Sequence, residues 1–349
     1  MTTTATVSSQ TATTALCAVR PQVPVDRLVT DLVPPRHFAN ARFATYRANP
    51  AHPSQGRALA RLQEIAAEIT APRRGLFTRR KAVAPAVYLD GGFGVGKTHL
   101  LTSLAHAVGE ALGADKAAYG TFVEYTNLVG ALGFLPTVDA LATKKLVCID
   151  EFELDDAGDT TIMSRLMREL ADRGVALAAT SNTLPDALGE GRFAAQDFQR
   201  EIKALSDRFE TLRVDGEDYR HREVVTDSEP LTEAEVVAAA DRPGRTLDAF
   251  DDLLAHLATV HPSRYGALLD GVSVVALTGV HPVTAQEVAL RLVVLVDRLY
   301  DRDVPVLLGG SADTRGLFTE EMLAGGYRKK YYRALSRLGA LAEEGRKLL

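Results

Sequence analysis

The stretch that decides the fold is Tyr88–Leu101, YLDGGFGVGKTHLL. Four glycines fall within six positions beside one lysine and one threonine, between an apolar run ending at Asp90 and a second apolar segment. Gly91, Gly92, Phe93, Gly94, Val95, Gly96, Lys97 and Thr98 match the G-x-x-x-x-G-K-[ST] template in full. Glycines let backbone N–H groups curl around phosphate oxygens where a Cβ would collide or forbid positive φ. A helix starting directly behind such a loop aims its free amides and the positive end of its dipole at the same anion. The spacing predicts a buried strand AVYLD, a phosphate cradle running from Gly91 to His99, and a helix over Thr98–Leu112. Lys97 is set to reach the β and γ phosphates, and the Thr98 hydroxyl to take a place on Mg2+. The plain alternative is a glycine-rich turn without a ligand, which would not require strand, loop and helix in this order.

A cradle alone does not separate kinase, GTPase and ATPase chemistry. LVCIDEF, Leu146–Phe152, narrows the choice. It reads as an apolar strand ending in Asp150, placed to hold the water shell of the metal. Glu151 beside it is placed to orient and deprotonate an attacking water. Adjacent Asp and Glu suit hydrolysis better than transfer to a substrate hydroxyl; the plain reading is an acidic strand-to-loop corner, since Glu153, Asp155 and Asp156 follow. The apolar strand VALAATSN ends at Asn182, either a contact to the γ-phosphate or attacking water, or an ordinary turn asparagine before TLPDAL. GTFVEY reads as a further strand, which puts the Asn182 strand between the phosphate-loop strand and the metal strand. Ligand would then lie at the carboxyl ends of parallel strands. In LSDRFETLRV, Arg208 ends a helix before a last strand. It either completes a neighbouring subunit's site as an arginine finger, an effect of roughly 10³–10⁵ in rate, or is a solvated arginine beside a helix dipole; Arg200 and Arg192 are the next choices.

Outward from this centre, strands alternate with amphipathic helices. PSQGRALARLQEIAAEI precedes the loop with Leu59, Leu62, Ile65 and Ile69 at helical spacing and Ser54 as expected N-cap. TTIMSRLMRELADRG follows the metal strand and closes at Gly174. Several strands are apolar throughout, which predicts an α/β fold with a parallel sheet covered on both faces. TDSEPLTEAEVVAAADRPGR then turns acidic and polar and reads as a boundary. Beyond it come a helix near Leu247–Val260, strands VSVVAL and VPVLLG, a helix opened by a capping box from Thr284 to Glu287, and a last helix through YRKKYYRALSRLGALAEE. The expected division is a partly disordered tail over 1–37, a core over 38–225, a linker over 226–246 and a smaller α/β or helical domain over 247–349.

Bulk properties set the limits. The chain has 349 residues, 46% of them apolar and 24% charged, an ordinary globular composition large enough for two domains. A net charge of −5 gives no general attraction to nucleic acid. Cys17 and Cys148 stand in unlike contexts, which implies neither a disulfide framework nor a zinc cluster and fits a reducing compartment. The opening, rich in Thr, Ser and Ala, lacks the charged and apolar regions of a secretory signal, and no apolar run is long enough for a spanning helix.

Together these elements resemble the AAA+ group of P-loop ATPases and, more narrowly, the ZapE-type family of AFG-one-like ATPases. The likeness runs from about Phe38 to Leu338. It is carried by HPSQGRALARL, GGFGVGKTHLL, CIDEFELDD and GVALAATSNTLPDAL, and more specifically by VDGEDYRHR, LRLVVLVDRLYDRDVPVLL and YYRALSRL. The resemblance implies a sheet of order 5-1-4-3-2 and Mg2+-dependent ATP hydrolysis in the cytoplasm, driving remodelling of a protein client. The client it suggests is the division ring and its tubulin-like polymer, with possible assembly of the ATPase into a homo-oligomer. The rival is a DNA-directed ATPase of the helicase-loader kind, which single-stranded DNA would stimulate; a small-molecule kinase is disfavoured by Asp150 and Glu151.

Three weaker features complete the reading. Phe134 in LGFLP is either a client-gripping pore residue or a buried turn phenylalanine. RRGLFTRRK and YRKKYYR read as solvated basic faces rather than strand binders. Arg337 is a candidate nucleotide sensor from the second domain, with Arg333 and Arg328 on neighbouring turns.

Overall fold

The computed structural model describes residues 15–72, 83–92, 94–152, 157–182, 207–217, 231–311 and 315–349. They fall into two units: Val23–Val224 is one, and Met1–Gln22 joins Val225–Leu349 in the other.

The first unit is built on β1 (Ala86–Asp90), β2 (Ala117–Thr121), β3 (Leu146–Asp150), β4 (Ala176–Ser181) and β5 (Glu210–Arg213). All pairs are parallel and the order is β2-β3-β4-β1-β5, the expected 5-1-4-3-2 seen from the other edge. Alternation along each strand feeds two cores. Val87, Leu89, Leu146, Cys148 and Ala178 face Leu100, Leu101 and Leu104 of α3 (Lys97–Leu112) and Leu62 and Ile65 of α2 (Pro53–Thr70). Tyr88, Val147, Ile149, Leu177 and Ala179 face α4 (Phe122–Leu132), α5 (Phe134–Leu141) and α6 (Ala157–Asp172). Burial on both faces is why these strands read as continuous apolar runs.

Local differences from the sequence reading have local causes. β2 is AAYGT, and FVEY lies on α4 instead of a strand. Thr121 Oγ1 accepts from the Glu124 amide and the Glu124 carboxylate accepts from the Thr121 amide, so T-F-V-E is a capping box. Ser54 is not an N-cap: His52 holds that position, Pro53 takes the first helical place, and the Ser54 hydroxyl accepts from the Asp215 amide. Phe134 is half-buried at the start of α5 with the Arg165 guanidinium 4.2 Å above its ring.

In the second unit, α7 (Glu233–Ala240) and β6 (Arg245–Ala249) arise from the acidic stretch expected to be a linker. Val236, Ala239 and Ala240 form the apolar side of α7, which packs on Val274, Ala276 and Leu307. β6 joins β7 (Val274–Val280) and β8 (Val306–Gly310) in a three-stranded parallel sheet. Its other face is covered by α8 (Phe250–Thr259), α9 (Tyr265–Leu268), α10 (Gln286–Asp301), α11 (Glu320–Ala324) and α12 (Arg328–Arg346) around Val275, Leu277 and Val306. The unit is therefore α/β. α10 begins after Ala285 without a side-chain cap, so Thr284 does not open it.

Part of the expected N-terminal tail is ordered on this unit. Leu16 is fully buried in its core, and both oxygens of buried Asp248 accept backbone amides, from Leu16 at 2.9 Å and Cys17 at 2.8 Å. Arg20 packs on the His256 imidazole, whose pKa is lowered by burial and by that guanidinium. Arg333 and Arg337 both donate to Asp297, at 2.7 and 2.5 Å, so Arg337 is engaged inside its own unit instead of presented as a sensor.

Candidate functional site

The site forms where β1, β3 and β4 end. β1 delivers Gly91 directly from the sheet. A Cβ on Gly91 would lie 2.1 Å from the Val214 carbonyl oxygen, so only glycine fits between β1 and the chain leaving β5. Gly96 adopts φ 93°, a left-handed conformation in which L side chains are strained, and serves as N-cap of α3. The Leu100 amide donates to Gly96 O, so the amides of Lys97, Thr98 and His99 precede the first bond of the helix and remain for an anion.

Lys97 is 8% exposed. Its ammonium donates to Gly91 O at 2.8 Å, to Gly92 O, and to Asn182 Oδ1 at 2.9 Å. The loop lysine and the asparagine from the tip of β4 therefore converge, as a joint contact to a terminal phosphate requires. Thr98 Oγ1 faces Asp150 Oδ1 at 3.4 Å. This pair fits Mg2+, which is commonly held by one or two protein oxygens with substrate phosphates and waters completing its shell. Among the described residues no group of three or more His, Cys, Asp or Glu forms a metal cage.

Immediately after Asp150 the chain leaves the strand through Glu151 at φ 54°, a positive value in a non-glycine residue. Such backbone costs roughly 1–3 kcal/mol and persists where neighbours over-determine it. Here the Glu151 amide donates to Asp150 Oδ1 and Thr180 Oγ1, each at 3.1 Å, and the Phe152 amide donates to Thr180 O at 2.7 Å. The carboxylate-bearing corner is thus fixed by β4.

Two further groups had no signal in the motif reading. Tyr119 on β2 donates its phenol hydroxyl to Asp150 Oδ2 at 2.7 Å, and Thr180 donates to Oδ1. Burial, together with the adjacent Asp150 charge, raises the Tyr119 pKa well above the ordinary tyrosine value and keeps it a donor. Burial and Asp150 also raise the pKa of Cys148, whose thiol lies in the apolar layer under α3.

The loop is braced from outside. The Tyr46 hydroxyl donates to Val95 O at 3.3 Å, and Gln55 donates to Asp215 O at 2.7 Å while its own carbonyl accepts the Asn49 amide at 2.8 Å. Arg213 bridges buried Asp90 to Asp215. The Pro53-Ser54-Gln55 turn therefore holds the chain after β5 beside the phosphate loop.

Of the predicted residues, Gly91, Gly92, Gly94, Val95, Gly96, Lys97, Thr98, Asp150, Glu151 and Asn182 belong to this one corner. The His99 imidazole is turned to Thr45 Oγ1 at 3.1 Å and Arg42 O at 3.2 Å, which leaves its backbone as its share of the cradle. Arg208 is elsewhere. It stands before β5 and donates to Asp172 Oδ1 at 2.8 Å at the end of α6, at the amino ends of the strands and across the sheet from the loop. Phe93, Glu153, Asp155, Asp156, Arg192 and Arg200 lie outside the described residues.

With the geometry in place, the sequence profile of the AFG1-like ATPase family matches residues 22–236 and 226–346. The chain belongs to the AFG1-like ATPase family. Among similar proteins, the cell division protein ZapE of Escherichia coli is 33% identical over 143 residues, 39% of this chain and 38% of that protein. An uncharacterised protein of Schizosaccharomyces pombe is 26% identical over 173 residues, 43% of this chain and 38% of that one. The matches thus span well under half the length of these relatives. Among solved structures, domain III of the replication initiation protein DnaA of Thermotoga maritima is similar at a TM-score of 0.40 and 18% identity, over 58% of this chain and 73% of that one. DnaI is similar at a TM-score of 0.40 and 14% identity, over 54% and 97%. Among the described residues no helix is long and apolar enough to cross a membrane.

Proposed function

We propose that this member of the AFG1-like ATPase family binds ATP with Mg2+, hydrolyses it, and uses the cycle to remodel a protein assembly. The observation that carries the reading is the convergence of Lys97 with Asn182 and of Thr98 with Asp150 and Glu151 at the ends of three adjacent strands. Gly91, Gly92, Phe93, Gly94, Val95, Gly96 and His99 wrap the triphosphate with backbone amides. Lys97 and Asn182 bind the γ-phosphate, Thr98 and Asp150 hold Mg2+, and Glu151 takes the proton of the attacking water. Mg2+ held there would supply neutralisation of phosphate charge.

Arg208 acts in trans, on the site of a neighbouring copy in a homo-oligomer. What supports this is its exposed position away from its own loop, 38% accessible, before β5, where Asp172 at the end of α6 orients it. The client is a protein of the division apparatus, such as its tubulin-like polymer, and the compartment is the cytoplasm; the relatives named for cell division and the two free thiols support that reading. Hydrolysis would drive domain or ring motion by shifting populations between nucleotide states.

Phosphate release from purified protein tests the chemistry. Lys97→Ala should abolish tight ATP binding, and Glu151→Gln should retain ATP while losing ~10²–10⁴ in turnover. Retained micromolar affinity in the first, or unchanged turnover in the second, removes that residue from the mechanism. Capture of partners on the Glu151→Gln protein held in ATP then tests the client: enriched division proteins support the reading, and stimulation by single-stranded DNA would favour a helicase-loader role.

A further inference from the structure

The Asp150 carboxylate is held from four directions. Thr180 Oγ1 donates to Oδ1 from β4, the Glu151 amide reaches Oδ1 at 3.1 Å, and Thr98 Oγ1 faces it at 3.4 Å from α3. Among the described residues, Tyr119 is the partner on the other oxygen, donating to Oδ2 at 2.7 Å from β2. The terminal torsion of an aspartate is broad, so a carboxylate held by one oxygen can swing its partner oxygen through a wide arc. The phenol cannot follow such a swing. Tyr119 is 3% exposed, and its ring is packed among Leu100, Leu101 and Leu104 of the same helix that carries Thr98.

We infer that Tyr119 is a positioning residue for the metal pair, locking Asp150 in the orientation where Oδ1 and the Thr98 hydroxyl address the same Mg2+. The inference rests on the reading of Thr98 and Asp150 as that pair. Outer-shell partners of metal ligands lower metal affinity about 10–100-fold when removed. With one carboxylate in the set, the low end applies.

Tyr119→Phe keeps the ring and deletes the donor. With the full chain and a non-hydrolysable ATP analogue, half-saturation should need about ten times more Mg2+. Affinity for the analogue without metal should stay within about twofold of the parent, because the deleted hydroxyl donates to Asp150. Electron paramagnetic resonance of bound Mn2+ gives the same shift without turnover. Tyr125→Phe is the matched control: it removes another fully buried hydroxyl, which donates to Cys148 O at 3.1 Å on the same strand. It should lower the melting temperature comparably and leave the metal requirement unchanged. An unchanged Mg2+ midpoint in Tyr119→Phe, or an equal shift in Tyr125→Phe, overturns the positioning role. Asp150→Asn separates this from its premise. If it raises the midpoint while Tyr119→Phe does not, only the role of Tyr119 fails; if it too has no effect, the metal pair itself was misread.

Discussion

An alanine at position 91 would put its Cβ 2.1 Å from the oxygen and 3.1 Å from the carbon of the Val214 carbonyl. Neither atom belongs to a flexible side chain. The Val214 amide donates to Asp90 O at 2.7 Å, and the next residue, Asp215, is clasped by Ser54 and Gln55. To admit the methyl, the end of β5 must retreat by roughly 1 Å to reach a normal contact distance. The retreat forfeits the Val214–Asp90 bond, about 1 kcal/mol net, on top of ~1–3 kcal/mol for overpacking. The sum is ~2–4 kcal/mol. For a unit of this size that corresponds to a melting temperature lower by about 5–15 °C. The neighbouring glycine supplies the control, since a Cβ on Gly92 meets Val95 Cγ1 at 3.9 Å, an ordinary contact. Calorimetry without nucleotide should therefore show Gly91→Ala melting early and Gly92→Ala within about 2 °C of the parent. If both melt alike, the close approach of the two chains does not exist in solution and the described bracing of the phosphate loop is wrong.

Three other outcomes are expected. Arg208→Ala breaks an exposed pair with Asp172 and a long exposed bond to Arg168 O, so stability should change by less than ~1 kcal/mol while turnover of the assembled protein falls by about 10³. Mixing it with Lys97→Ala chains should restore part of the rate, and an undiminished rate in Arg208→Ala alone rules the residue out. Asp248→Ala strands the Leu16 and Cys17 amides and should cost the second unit about 2–3 kcal/mol; urea unfolding with an unchanged midpoint would show that the N-terminal turn contributes nothing. His106, His256 and His261 are all held below the ordinary imidazole pKa by burial, with Arg20 adding to the effect at His256. Their protons bind the unfolded chain more readily, so stability present above pH ~6.5 is lost as the pH falls below it. His281, raised by Asp251, works in the opposite sense from an exposed position. Melting should therefore drop between pH 7.5 and 5.5, and His256→Gln should flatten the slope; a flat profile in the parent contradicts the burial.

The parts of the site that were legible in the sequence are those whose chemistry is local. Glycines, lysine and threonine of the loop act within one turn of chain, and Asp150 and Glu151 announce themselves at the end of an apolar run. Strand order followed because the intervening strand forced the Asn182 strand between the other two. What was missed depends on distant partners. FVEY is apolar and rich in residues that suit strands, and its T-x-x-E cap was present in the sequence but unused. Tyr119 reads as one aromatic in a short strand; only the pairing of β2 with β3 brings its hydroxyl to Asp150. Leu16 sits in a stretch dominated by threonine and alanine, and its partner Asp248 is 232 positions away. No periodicity can reveal a contact of that kind. Arg208 precedes β5 as read, and the acceptor that orients it, Asp172, is on α6, 36 positions away in the chain.

The membership of residues 1–22 and 225–349 in one unit has a consequence for biogenesis. During ribosomal synthesis the nucleotide-binding core, Val23–Val224, is complete before the remaining body has its first strand. Leu16 must wait for Asp248, at translation rates a delay on the order of 10–50 s. Throughout that interval the Leu16 turn has no core to bury it, while the residues of the nucleotide-binding unit are already synthesised on the same nascent polypeptide.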